Sequence, residues 1–137
     1  MQCDKDKDNQ TETVSILLRD KPLSIIQGYI VGEWDLNYAY GGIFTHKAID
    51  QENSYMILSP DHIIIGNMYG ISVDTTIVWV RAKTLFGDST YLLSYSWSGY
   101  LWPEYRIVDQ IKSDTLIIKD NGDDGFAYYY TKQEKVR

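Results

Sequence analysis

The sequence predicts an all-β fold: an up-and-down antiparallel barrel of about eight strands, with a short helix before strand one. Three observations lead there. Tyrosine is abundant, 12 of 137 residues, and with Ile and Val it suits pleated, half-buried surfaces. From Glu33 onward the apolar period is two rather than that of a helix. The strand-like segments are short and divided by turn sequences, leaving no room for crossover helices. Neighbours are therefore antiparallel, and closing the meander removes its exposed edges.

Residues 1–19 read as a flexible acidic tether and 20–137 as the barrel domain. Met1 to Glu12 is nearly all polar, too poor in apolar area to offset the entropy of ordering. Val14 to Leu18 is a small apolar island, suited to a short strand or to loose packing on the domain. Asp20-Lys21-Pro22 opens a helix, since proline is tolerated where the first N–H has no partner. Leu23, Ile26 and Ile30 follow at helical spacing, and Gly32 fits the position just past the helix end.

Strict alternation begins at Glu33, with Trp34, Leu36, Tyr38 and Tyr40 on one face. Gly41-Gly42 turns the chain. Further strands are expected over 43–48, 54–58, 62–66, 75–82, 90–97, 100–111, 115–119 and 126–132. Ser59-Pro60-Asp61, Gly87-Asp88-Ser89, Ser98-Gly99 and the segment from Asp120 to Gly125 carry turn chemistry between them.

Charge and cysteine content narrow the function. The net charge is −6, with Lys and Arg scattered, whereas a nucleic-acid binder needs a positive face to displace phosphate counterions. A single cysteine rules out an internal disulfide and a cysteine-based metal cluster. His46 and His62 are too few for a zinc site. The acidic turn at Asp120–Gly125 has Gly122 where a calcium loop needs an oxygen ligand, so no metal or other cofactor is expected.

Several of these residues together are similar to a known group. Cys3 ahead of an acidic segment, Gly32-x-Trp34 opening a strand after a helix, Gly41-Gly42, Asp114-Thr115-Leu116 and Tyr128–Lys132 resemble the lipocalin-like domains of lipoproteins from Gram-negative, Bacteroidetes-type bacteria. The likeness runs from Pro22 to Lys132. It implies a lipocalin-like barrel whose base is plugged by Trp34, with a basic residue of the last strand lying over that ring. Lys132 stands at that position, and such a cation–π contact contributes roughly 0.5–2 kcal/mol. It also implies lipidation at Cys3, hence an outer-membrane-anchored envelope protein facing the periplasm or the exterior. Only Met1 and Gln2 precede Cys3. The chain departs from classical lipocalins in lacking a C-terminal helix outside the barrel and a second lipocalin motif, which argues against a retinoid or odorant carrier.

The candidate ligand-binding residues are Trp79, Arg81, Trp97, Tyr100, Trp102 and Asp109. Trp97 and Tyr100 flank the Ser98-Gly99 turn, where a two-residue hairpin sets them opposite each other. With Trp102 they either grip a ligand at the barrel mouth or fold inward as a stopper. Trp79 and Arg81 share a face of one strand. An inward Arg81 needs a carboxylate, and Asp109 is the candidate mate, either binding a polar ligand group or locking the core.

No nucleophile stands beside a base in a recognisable arrangement, and the carboxylate pairs Glu33/Asp35 and Glu104/Asp109 are of a kind that solvated strands carry routinely. The expected role is therefore non-catalytic binding of a small, partly apolar molecule or a glycan fragment. The other reading is a pocketless module that docks on an envelope protein partner.

Overall fold

The computed structural model describes residues 15–42, 46–84, 86–96, 103–122 and 125–133. In chain order these form β1 (Ser15–Leu17), α1 (Leu23–Ile30), β2 (Gly32–Gly41), β3 (His46–Ile49), β4 (Tyr55–Ser59) and β5 (His62–Asn67). Then follow β6 (Gly70–Thr76), β7 (Val78–Lys83), β8 (Ser89–Tyr95), β9 (Glu104–Lys112), β10 (Thr115–Asp120) and β11 (Phe126–Lys132). The protein is mostly β, an antiparallel half-barrel sheet in the order β6-β5-β4-β2-β11-β10-β9-β8-β7.

Two short strands extend it. β3 and β4 occupy successive stretches of one edge of β2. β1 pairs with Gln110–Lys112 of β9, beyond the residues that pair with β8. The two ends of the path, β6 and β7, are consecutive in the chain with Ile77 alone between them.

One core fills the concave side. Trp34, Met56, Leu58, Ile63, Val73, Leu93, Val108, Leu116 and Ile118 come from seven strands and are all buried. The helix covers one end. Pro22 caps it with extended backbone, and Ile26 and Ile30, one turn apart, are fully buried while Ile25 and Tyr29 face out. Burying two isoleucines contributes about 1.5–3 kcal/mol each, which stabilises a helix too short to form alone.

The apolar island before the helix supplies a short strand, β1. The structure departs from the sequence reading in three places. The packed fold reaches back past residue 20: Leu18 is fully buried in the core, and its amide donates to Asp109 O at 2.8 Å. β6 was not expected, because Gly70, Ser72 and Asp74 disfavour strands; pairing with β5 makes it one all the same. The strand expected over 75–82 is interrupted at Ile77, whose buried side chain faces the core while its amide donates to Asp61 O at 2.8 Å.

Candidate functional site

The base of the sheet is built around Trp34. Its indole is 3% exposed and its Nε1–H donates to Ile30 O at 2.9 Å, joining helix to strand. Lys132 Nζ lies 4.7 Å from the centroid of the ring and donates to Val31 O at 2.9 Å. Gly32 has φ +138°, and a Cβ there would collide with the Lys132 ammonium. The positive φ favours glycine there, and its missing Cβ leaves room for the lysine crossing above it.

Away from this base the concave side opens into a cavity of about 200 Å³. Its walls are apolar, from residues such as Leu36, Met56, Ile65 and Val73, and one region is polar, where Arg106, Tyr95, Tyr128 and Tyr130 converge. Arg106 projects inward from β9. Its Nη1 pairs with Asp120 and lies 3.3 Å from Glu104, and its guanidinium lies 5.0 Å from the Tyr128 ring centroid. The Tyr95 hydroxyl adjoins Arg106, and the Tyr128 hydroxyl donates to Asp120 Oδ2 at 3.5 Å.

Burial works against the Arg106 charge. The adjoining tyrosines and carboxylates outweigh it and hold the guanidinium above its ordinary value. Burial also raises the phenols of Tyr95, Tyr128 and Tyr130, so all three are neutral hydroxyls at pH 7 and can donate as well as accept.

Asp109 lies elsewhere. It is fully buried on the convex side, bonded to Arg19 and 3.4 Å from Lys119 Nζ. Phe86 lies under both cations, 4.3 Å from Arg19 Cζ and 4.9 Å from Lys119 Nζ. The expected pairing of Arg81 with Asp109 is therefore incorrect. Arg81 is exposed and lies over Tyr91 at 5.2 Å; β8 separates its strand from β9. Trp79 is partly buried against the core, its Nε1–H donating to Pro60 O at 2.8 Å, and it does not line the cavity. Cys3, Trp97, Tyr100 and Trp102 lie outside the described residues.

Sequence reasoning placed Tyr105, Ile107, Asp109 and Ile111 on one inward face and passed over Arg106. The reason is a β-bulge. Ile117 pairs with Gln110 but Ile118 with Val108, so Asp109 is the extra residue and the facing parity flips there. The alternation Glu104-x-Arg106-x-Val108 was the available signal.

A second, polar groove runs past Asp35, Asp50, Asn53, Ser54 and Gln133. Burial, and then the charge of Asp50, raise the Asp35 carboxyl. Gln133 Nε2 donates to Asp35 at 2.8 Å and the Ser54 amide to Asp50 at 2.9 Å, so Asp35 ties β2 to the residue after β11 while Asp50 braces the connection between β3 and β4. Among the described residues, no group of three metal-ligating side chains occurs, and no helix is long and apolar enough to cross a membrane. Comparison with protein-family models, with curated proteins and with solved structures finds no match to this chain.

Proposed function

We propose that the chain is a lipocalin-like, eight-stranded barrel that binds a small, largely apolar molecule without transforming it. The observation that carries this reading is the apolar cavity of about 200 Å³ with one polar region around Arg106. An apolar cavity of about 150 Å³ accepts benzene, so the size suits a single-ring molecule or a short branched chain. It is small beside the roughly 300–1,000 Å³ of pockets for larger ligands.

Closure of the barrel is part of the proposal, and the register supports it. From Trp34 the pairing leads through Met56 and Ile65 to Val73 on β6. In the other direction Tyr40 leads through Ala127, Lys119, Ile107 and Leu92 to Val80 on β7. Both routes arrive on one continuous stretch of chain, bent at Ile77. A full circuit is thus offset by about a dozen residues, the stagger that tilted strands need in a closed barrel. Taking β6 and β7 as one strand and β3 with β4 as another, and setting aside the three-residue β1, leaves eight.

Ligand-observed NMR with single-ring probes tests the binding. Saturable binding that is lost in the cavity-filling variant Val73→Phe is the expected result; no saturable binding to the wild-type protein refutes the pocket. Contacts between the methyls of Val73 and Leu93 across the lumen test closure.

The envelope location rests on Cys3 and the acidic segment after it. Expressed behind a lipoprotein signal, the protein should partition with membranes and lose that in Cys3→Ser. One observation favours the docking alternative: Met68, Tyr69 and Ile71, at the β5–β6 turn, are 55%, 76% and 60% exposed. Three large apolar side chains at one hairpin tip suit an aromatic anchor for a protein partner.

A further inference from the structure

We infer that the ligand of this cavity is uncharged and carries a hydrogen-bond acceptor, such as a ketone, ester or amide carbonyl, rather than a carboxylate. This rests on the binding reading above and specifies the chemistry of the same site.

The argument starts from charge. An arginine in an apolar cavity ordinarily invites an anion, because a buried guanidinium needs a counter-charge. Here that requirement is already met within the protein. Asp120 and Glu104 both engage Arg106, so two carboxylates surround one cation. A ligand carboxylate would raise the count to three against one. It would also exchange its hydration shell for walls made mostly of leucine, isoleucine, methionine and valine. The chain as a whole, at −6, offers no compensating positive field.

Hydrogen-bonding capacity nevertheless remains. Both carboxylate contacts fall on Nη1 of Arg106, whereas a guanidinium carries five N–H bonds over three nitrogens. The Tyr128 proton is already given to Asp120, but the neutral hydroxyls of Tyr95 and Tyr130 border the same region. A carbonyl oxygen accepts from such donors without importing charge. A wholly apolar ligand would leave them facing hydrocarbon, a cost that discriminates against it.

Three probes of nearly equal shape separate the possibilities: acetophenone, benzoate and cumene, titrated into the wild-type protein at pH 7 by calorimetry or NMR. Acetophenone is expected to bind at least tenfold more tightly than benzoate and several-fold more tightly than cumene. Benzoate binding as well as acetophenone, or better, overturns the inference while leaving the cavity reading intact. Cumene matching acetophenone overturns the requirement for an acceptor. If none of the three binds, the cavity reading fails and this inference with it.

The variant Glu104→Gln gives an independent measurement. It removes one negative charge and leaves Arg106 its partner Asp120. Benzoate affinity should rise several-fold with acetophenone little changed. Equal affinity for benzoate before and after the substitution contradicts the charge argument.

Discussion

Trp34 joins three parts of the fold at one side chain: the helix through Ile30 O, the last strand through Lys132, and the core through its rings. Trp34→Ala should therefore destabilise the protein by about 3–5 kcal/mol in denaturant unfolding, and a loss below about 1 kcal/mol would show that the indole is not the plug of the base. Tyrosine supplies the second residue-level expectation. The Tyr95, Tyr128 and Tyr130 phenols are raised above the ordinary value of 10.0, with burial the largest cause. Above pH 10 the unfolded chain releases phenol protons that the folded chain retains, so stability is full below that pH and falls as pH rises through the raised values. A pH series of unfolding midpoints should be level up to about 10 and then decline, with phenolate absorbance from these tyrosines emerging together with unfolding.

The N-terminal strap shows how an element is fixed from outside its own hydrogen bonds. β1 has three residues and, among the described residues, pairs only with β9. What holds it is the next stretch, where Leu18 enters the core and Arg19 engages the fully buried Asp109. Arg19→Met leaves Asp109 with Lys119 and the Gln110 amide, both on Oδ2, and breaking a buried pair in this way costs about 3–5 kcal/mol. The variant should lose that stability, and amide exchange over Ser15–Leu17 should quicken before that of β10. A change below about 1 kcal/mol would mean that Lys119 and Gln110 suffice. The contact was not legible in the sequence, although the apolar island around it was. Arg19 looked like the end of a polar tether, and its partner lies 90 residues away. The strands themselves were legible where β-favouring residues were bounded by turn residues, as from Glu33 to Gly41 and from Thr115 to Lys132, but in β2 the single face expected over Trp34, Leu36, Tyr38 and Tyr40 is broken by a bulge at Asn37, where Leu36 pairs with Tyr130 but Tyr38 with Tyr129. Propensity misled at β6, whose Gly, Ser and Asp residues are held by pairing, and alternation misled at the bulge beside Asp109. There one extra residue exchanged the two faces of β9, hiding Arg106 and presenting Asp109 as an inward group. The parts of the candidate site that could be read from sequence were thus the base, Gly32 with Trp34 and Lys132, rather than the polar region of the cavity.

At the scale of the molecule, a cavity inside a single cooperative core couples ligand binding to stability. The same side chains that line the space, among them Met56, Val73, Leu93 and Ile118, also belong to the core. A ligand that binds only the folded form stabilises it by mass action, about 2.7 kcal/mol at one hundred times its dissociation constant. For a domain of this length each kcal/mol corresponds to roughly 3–4 °C, so saturating acetophenone should raise the midpoint of thermal unfolding by about 10 °C. Benzoate at the same concentration should raise it far less. The rise should disappear in Val73→Phe, where the added ring occupies the space, even though that variant can itself be more or less stable than wild type. An equal rise in wild type and in Val73→Phe would place the ligand elsewhere on the protein, at a surface such as the exposed Met68–Ile71 turn, and would favour docking over carriage.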